Sequence, residues 1–240
     1  DVTEDYCVLG LFGPKSRNLM ENLCEENFSN ENFKFASSKE IKINSKPIWA
    51  QRISYVGELG YELYFKTDYA IEIYKTIMNK GQKFKIANCG VHAMDIMRME
   101  SGFVHWGHDI SPEENQYQAG LNFTINYKKN VDFIGKQALL NIKEKKIQKR
   151  LFMFVLENSK PGEPLLLHDE PIYLKNKIIG RTTSGNYSFN FNKNLSFGYV
   201  NSGNNIESLK RSKIFIEVEK KKYSAQVLEK PLNSNNFKYC

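Results

Sequence analysis

The chain is poor in cysteine, and the cysteines that it has are far apart. There are four in 240 residues, at positions 7, 24, 89 and 240, and no two of them form a CxxC pair. This pattern argues against a disulfide framework and against a cysteine-rich zinc site. Isolated thiols are typical of proteins in a reducing compartment, so we expect a cytoplasmic protein.

Long hydrophobic runs are also missing. A membrane-spanning helix needs about 18 or more predominantly apolar residues in a row, and no segment approaches that length. No basic segment followed by an apolar one marks the chain for secretion. We therefore expect no membrane partner. The chain begins at Asp1 rather than Met, so we expect its start to lie inside a longer reading frame.

The signature motifs of several enzyme classes are absent. The sequence has no nucleophile elbow, no Walker phosphate loop and no GxGxxG turn, so acyl transfer, nucleotide hydrolysis and dinucleotide binding by this chain are not indicated. His105 and His108, with His92 and Cys89 upstream, do not have the tight, matched spacing of zinc ligands. We therefore expect no metal site.

Basic residues outnumber acidic ones by 34 to 27, which gives a formal net charge of +7. The lysines are densest at residues 143–150 and 220–222, where solvated helix ends and hairpin tips account for them. We expect no nucleic-acid partner. A small anionic ligand would gain equally from the positive charge.

Strands and helices alternate in the first half of the chain. The period-2 pattern predicts a buried strand at 7–12, a hairpin formed by 41–43 and 48–55, and a strand at 61–65 on which Glu62 faces away from the core. A short helix after Gly13-Pro14 should bury Leu19, Met20 and Leu23. Two further helices are predicted at about 68–80, with Ile71, Tyr74, Ile77 and Met78 inside and Gly81 as the stop, and at about 91–101. This alternation indicates an α+β domain.

The pattern changes after a lysine-rich amphipathic helix at about 135–145. Short strands with turn signals follow, at 150–156, 172–174, 178–181, 197–200, 214–218 and 223–228. We predict that residues 186–205, rich in Asn, Ser and Phe, form hairpin loops. The charged stretch 143–149 is the predicted boundary between an α+β domain at 1–145 and a β domain at 146–240.

Two carboxylates beside glycines are the most promising ligand-binding groups. Glu58 lies between Gly57 and Gly60, and Glu62 follows on the next strand. One carboxylate can accept both a ring N–H and an adjacent exocyclic amine, as a pterin or guanine presents them. The alternative is that neither residue binds a ligand. Glu58 is then only a residue of a tight turn, and Glu62 pairs with a surface lysine.

Aromatic residues near these carboxylates could form a wall for a flat ligand. The candidates are Tyr55, Tyr61 and Trp106. Arg98 lies one helical turn from Asp95, so it either forms an intrahelical ion pair or supports the site. The spacing alone leaves both readings open.

Three sequence blocks carry a family resemblance: 52–62, 92–100 and 105–112. Together they closely resemble the folate-binding, aminomethyltransferase-like C-terminal region of dimethylglycine and sarcosine dehydrogenases. Other segments follow in the same order, so the resemblance spans nearly the whole chain: 9–14, 119–121, 132–136 and 198–200. Trp106 and His108 stand where the glycine-cleavage T-protein has Tyr and Asn, which favours the dehydrogenase branch.

The resemblance implies a fold and a function. The fold is α+β, a partial cloverleaf-like folate-binding aminomethyltransferase fold with a C-terminal antiparallel β-barrel or jelly-roll lobe. The function is a tetrahydrofolate site that captures the one-carbon unit of an N-methyl amine as 5,10-methylenetetrahydrofolate. Glu62 corresponds to the pterin-binding glutamate, and Glu58, Tyr55, Tyr61, Arg98 and Trp106 complete the expected cofactor-binding set.

Two positions differ from the T-protein pattern. Its folate-contacting arginine aligns with Met94, and its late aromatic contact aligns loosely with Phe237. The family's catalytic aspartate and the FAD-binding domain both precede the matching region, so this chain alone should lack them, and an upstream flavin domain is the expected partner. The alternatives are a free-standing aminomethyltransferase that works with a lipoyl carrier, or a non-catalytic folate-binding regulatory relative.

Overall fold

The computed structural model describes residues 1–201 and 205–233. Its contacts divide the chain into two compact units, which we describe separately. Unit 1 comprises Asp1–Arg98 and Asn233, and unit 2 comprises Met99–Leu232. Phe237 and Cys240, which the sequence analysis discussed, lie outside the described residues.

Unit 1 is an antiparallel sheet with helices. Its strands are β1 (Tyr6–Phe12), β2 (Ser38–Ile43), β3 (Lys46–Gln51) and β4 (Gly60–Lys66). They lie in the order β1-β4-β3-β2, and each neighbouring pair is antiparallel. The helices are α1 (Ser16–Leu23), α2 (Ala70–Gly81) and α3 (Val91–Glu100), and short 3-10 turns cover Thr67–Tyr69 and Gln82–Phe84.

The core of unit 1 follows from the alternation along β4. Tyr61, Leu63 and Phe65 are buried, and the residues between them are half-buried on the opposite face. The predicted face of α1, with Leu19 and Met20, packs into the same core. Burying a large apolar side chain stabilises the fold by about 1.5–3 kcal/mol. The period-2 spacing along β4 and the period-3.6 spacing along α1 therefore determine which face of each element packs into the core.

Strand β1 was predicted to be buried, and this is wrong. Only Leu11 is buried among its seven residues, and Val8 is 50% exposed. The reason is that β1 is an edge strand of the described sheet, paired with β4 alone. None of its residues is charged, whereas the opposite edge, β2, carries Lys39, Glu40 and Lys42.

The inner face of α2 also differs from the prediction. Ile71 is 71% exposed and Tyr74 is exposed, whereas Ile73, Ile77 and Gly81 are buried. The buried set is spaced i, i+4, i+8, so the helix presents a face rotated from the predicted one. The α-helix ends at Gly81, as predicted, and a 3-10 turn follows it.

Unit 2 contains a closed six-stranded barrel. Its strands are β5 (Lys149–Leu156), β6 (Pro171–Leu174), β7 (Lys177–Ser188), β8 (Lys193–Asn201), β9 (Ile214–Val218) and β10 (Lys221–Leu228). They follow the order β10-β5-β8-β7-β6-β9 around the barrel, and the paired strands are antiparallel, which confirms the predicted C-terminal antiparallel barrel. Helices α4 (Lys136–Lys143) and α5 (Ile206–Lys210) complete the regular structure, with a 3-10 turn at Asn122–Thr124.

The prediction that residues 186–205 form hairpin loops is wrong for most of this segment. Strand β7 continues to Ser188, and β8 covers Lys193–Asn201. Three of the polar residues that suggested loops, Ser188, Asn194 and Ser196, are buried and form hydrogen bonds. The Ser188 hydroxyl donates to Glu100 at 2.6 Å, and the Asn194 amide donates to the Pro164 carbonyl at 3.0 Å.

The longest described helix, α2, has 12 residues. Within the described ranges, no helix has the length and hydropathy needed to cross a membrane.

Candidate functional site

The loop between β3 and β4 carries Tyr55 and Glu58, both half-buried. Gly57, which precedes Glu58, has a φ of +72°, in the left-handed region that glycine adopts without strain. The loop is fixed at its far end, because the Leu59 carbonyl accepts hydrogen bonds from the Gly13 amide at 2.8 Å and from the buried Ser16 hydroxyl at 3.1 Å. The loop is therefore tied to the start of α1.

The ring of Phe12 lies against two glycines on the non-core face of the sheet. A Cβ added at Gly10 would lie 2.5 Å from Phe12 Cε2, and one at Gly60 would lie 2.3 Å from Phe12 Cδ1. Gly10 is on β1 and Gly60 opens β4, so the ring needs both strands to lack a side chain there. Close approach of this ring, rather than backbone conformation, is what Gly60 provides.

Glu62 lies on the same face of the sheet as this ring. It is opposite Gly10 on β1, while Phe12 is opposite Gly60. Such diagonal cross-strand neighbours are about 7–8 Å apart, within reach of an aromatic side chain. The Glu62 carboxylate accepts a hydrogen bond of 2.5 Å from the hydroxyl of Tyr64, two residues further along the same strand. This bond, with burial, raises the pKa of Tyr64 to about 12.

The non-core face of the sheet therefore carries the Glu62 carboxylate and two aromatic residues, Phe12 and Tyr64. The sequence left Glu62 either as a ligand-binding group or as the partner of a surface lysine. In the structure its hydrogen-bond partner is the Tyr64 hydroxyl. The sequence analysis missed both rings. Tyr64 could have been found from the period-2 alternation that places it on the face of Glu62. Phe12 could not, because its position depends on the register of strands 50 residues apart in sequence.

Tyr61 lies on the opposite face of β4, in the core of unit 1. Its ring centroid is 5.5 Å from that of Phe28 and 5.7 Å from that of Phe33. Burial raises the pKa of its hydroxyl. Tyr61 thus packs beneath the strand that carries Glu62, and its ring does not share the face of that carboxylate.

Arg98 forms the intrahelical ion pair that was one of its two readings. It is 1% exposed, and its Nε and Nη2 lie 2.9 and 2.8 Å from Asp95 Oδ1. Asp95 is 25% exposed, so water can partly replace it. The pair links two successive turns of α3.

A cavity of about 900 Å³ lies beside Gly10 and Phe12 in unit 1. Its walls are β1, the start of α1, α2, residues 84–91 and the α3 residues Met94 and Met97. The walls are mostly apolar, which is typical of sites for small organic ligands of this size. None of the predicted folate contacts lines this cavity. Three residues close to them do line it, Gly10 and Phe12 on β1 and Val56 in the β3–β4 loop.

Trp106 belongs to unit 2, whereas the other predicted contacts belong to unit 1. It is 64% exposed in a tight loop. Gly107, with φ +89°, donates its amide to the Ile110 carbonyl at 2.8 Å, and the amide of Asp109 donates to the His105 carbonyl at 2.8 Å. The loop is therefore held by its own backbone.

Asp109 attaches this loop to the barrel. It is 1% exposed and accepts hydrogen bonds from the Thr183 hydroxyl at 2.5 Å, the Ser184 hydroxyl at 2.8 Å and the His105 amide at 2.9 Å. Within residues 1–201 and 205–233, no group of three or more His, Cys, Asp or Glu side chains could hold a metal ion.

Comparison with known families gives two matches. Residues 1–129 match the family described as the GCVT N-terminal domain, and residues 149–233 match the glycine cleavage T-protein C-terminal barrel domain. Human mitochondrial dimethylglycine dehydrogenase is 36% identical over 237 residues, which cover 97% of this chain and 26% of that protein. An aminomethyltransferase from Halothermothrix orenii is 32% identical over 198 residues, covering 82% of this chain and 54% of that one.

Among solved structures, the glycine cleavage system aminomethyltransferase T from Bartonella henselae superimposes with a TM-score of 0.80 at 21% identity. The match covers 95% of this chain and 60% of that one, and it shows a shared fold. The chain spans about a quarter of the length of the dehydrogenase and about half that of the bacterial transferase.

Proposed function

Because the chain belongs to the glycine cleavage T-protein family, we propose that it binds tetrahydrofolate and acts as the one-carbon transfer module of a dimethylglycine or sarcosine dehydrogenase-like protein. In this proposal an FAD-binding domain of the same protein oxidises the N-methyl amine. Tetrahydrofolate, when bound, supplies the amine that takes up the released one-carbon unit. The cytoplasm is our proposed location, since the described cysteines are free thiols.

The observation that carries the proposal is the carboxylate of Glu62, which is held by the Tyr64 hydroxyl and lies on the same face of the sheet as the ring of Phe12. A pterin presents a ring N–H beside an exocyclic amine, and an ionised carboxylate can accept from both while it keeps a third donor, because it has about four acceptor positions. The Tyr64 hydroxyl can therefore hold the carboxylate in place while the ligand binds. The two rings suit the flat faces of the pterin.

The other predicted residues take supporting roles in this proposal. Glu58 and Tyr55 contribute from the β3–β4 loop. Tyr61 supports β4 from the core side, and Arg98 fixes α3, whose Met94 lines the adjacent cavity. That cavity has room for a heteroaromatic ring system, and it adjoins the Glu62 face of the sheet at Gly10 and Phe12. The acceptor oxygens of Glu62 match the paired N–H donors of a pterin, so this carboxylate suits the proposed cofactor.

The test is calorimetric titration of the chain with folinate, a stable folate that keeps the pterin N–H and amine. Its control is p-aminobenzoylglutamate, which has the tail of folate without the pterin. We expect saturable binding of folinate and at least tenfold weaker binding of the control. Equal affinities would mean that the pterin is not recognised, and the proposal would be wrong.

Folate binding without turnover is a second candidate function. It is favoured by the two acids that could have served in catalysis, because Asp95 pairs with Arg98 and Asp109 accepts three hydrogen bonds. We expect no amine oxidation by this chain, and formation of 5,10-methylenetetrahydrofolate from formaldehyde at the uncatalysed rate. A clear acceleration would assign a catalytic carboxylate to these 240 residues.

A further inference from the structure

Strand β1 has one side on which no other strand pairs within the described part of the sheet. In an antiparallel ladder, only every second residue points its amide and carbonyl at the neighbouring strand. The Thr67 amide donates to the Asp5 carbonyl at 2.9 Å, and the Gly13 amide donates to the Leu59 carbonyl at 2.8 Å. The odd-numbered residues of β1 therefore bond to β4, and the even-numbered residues turn their backbone groups away from it.

Three of these outward residues have both backbone groups available: Val8, Gly10 and Phe12. The fourth, Tyr6, already donates its amide to the Val2 carbonyl at 3.2 Å. The cavity of unit 1 opens along residues 9–12, so space remains beside this half of the strand. Because β1 contains no charged residue and no proline, nothing in its sequence discourages a further strand.

The two ends of β1 carry opposite charges. Glu4 and Asp5 precede the strand, and Lys15 follows it. Asp5 and Lys15 are exposed, and no ion pair of the described residues includes either of them. A second β1 that runs antiparallel to the first brings the acidic end of each strand to the basic end of the other, whereas a parallel one would place like charges together.

One antiparallel register uses all the available backbone groups. When Gly10 lies opposite Gly10 of a second copy, Val8 of each copy lies opposite Phe12 of the other. The three available residues of one strand then pair with the same three of its neighbour. A register shifted toward the start of the strand would need the Tyr6 amide, which is already bonded.

We propose that the edge of β1 binds β1 of a second copy of this chain, paired antiparallel about Gly10 in a two-fold dimer. The same register places Asp5 of each copy opposite Lys15 of the other. The two four-stranded sheets then form one continuous sheet, and each open edge is closed by an identical one. The argument uses unit 1 alone, so it holds whether or not the chain binds folate.

The test is sedimentation-velocity ultracentrifugation of two charge variants over a series of chain concentrations. Asp5→Lys leaves a lysine at both positions, and Lys15→Glu leaves an acid at both, so each homodimer would bring like charges together. We expect each variant alone to dimerise at least about fivefold more weakly than the native chain. An equimolar mixture of the two should regain native dimerisation, because the mixed dimer has two pairs of opposite charge.

Two further variants separate this edge from other surfaces. Glu40→Lys makes a similar charge change at the opposite edge of the sheet, on β2, and should dimerise like the native chain. Val8→Pro removes an outward amide and leaves the bonds to β4 in place, so it should melt near the native temperature and lose dimerisation.

Three results would overturn the proposal. The first is a native chain that stays monomeric at every concentration. The second is native dimerisation that the charge variants leave unchanged, which would place the contact elsewhere. The third is a mixture of the two charge variants that dimerises no better than either variant alone.

Discussion

Replacing Glu62 tests the proposed pterin site most directly. The Glu62 carboxylate accepts a hydrogen bond from the Tyr64 hydroxyl, and Glu62 lies on the face of the sheet that carries Phe12. Each charge-assisted hydrogen bond to a ligand contributes about 1.5–3 kcal/mol. Losing two such bonds in Glu62→Ala should weaken folinate binding by at least about tenfold, and by more than about a hundredfold if the two contributions add.

The same substitution should affect folding little. Glu62 and Tyr64 are only half-buried, so water can replace the carboxylate as acceptor for the tyrosine. Glu62→Gln keeps the shape but has one acceptor oxygen where the carboxylate has two, so its affinity should be intermediate. Glu40→Ala, an exposed glutamate on β2 of the same sheet, is the control and should bind like the native chain.

The assay is calorimetric titration with folinate, accompanied by thermal melting of each variant. If Glu62→Ala folds normally and binds folinate as tightly as Glu40→Ala does, the pterin is not held by this carboxylate. The proposed site would then have to be placed elsewhere.

Four further outcomes are expected. Gly60→Ala should lower the free energy of unfolding by about 1–3 kcal/mol, because the new Cβ displaces Phe12, whereas Gly90→Ala, which meets open space, should leave it nearly unchanged in urea unfolding. The hydrogen bond from Tyr64 should stabilise the fold fully below pH 10 and lose this effect as the pH rises toward 12, since the pKa of Tyr64 is raised in the folded chain from 10.0 to about 12. The pKa values of Tyr61 and Tyr127 are also raised, so absorbance titration at about 295 nm should show one fewer late-ionising tyrosine in Tyr64→Phe than in the native chain. Limited proteolysis should cut first within residues 143–149 if the proposed boundary is real, and first cleavage inside β5 would count against it. Mixing the chain with dimethylglycine and an electron acceptor should give no oxidation, and measurable turnover would contradict the proposed division of labour.

Much of the fold was readable from local patterns. The alternation along β4 and the face of α1 both follow from period-2 and period-3.6 spacing, which are local properties. The family resemblance and the antiparallel barrel are confirmed, because motifs over the whole chain agreed in order. The side of β4 on which Glu62 lies followed from the same alternation.

The failures share a physical cause: each depended on contacts distant in sequence. Strand β1 has an apolar sequence that is typical of a buried strand, but its place at the sheet edge is set by pairing with β4. The polar residues of β7 and β8 suggested loops because their buried partners, such as Glu100 for Ser188, are up to about ninety residues away. The approach of the Phe12 ring to Gly10 and Gly60 depends on the register between β1 and β4, which the sequence does not show.

Strand pairing through the uncharged edge of β1 would limit the chain concentrations at which folinate affinities can be measured. An apolar edge strand without lysine, proline or a bulge offers unpaired amides and carbonyls to any other strand, including β1 of a second molecule. Association through this edge would place a neighbour beside Gly10 and Phe12 and compete with a ligand there. Apparent folinate affinity should therefore fall as the chain concentration rises, and a dilution series by analytical ultracentrifugation sets the range in which affinities of the variants are comparable.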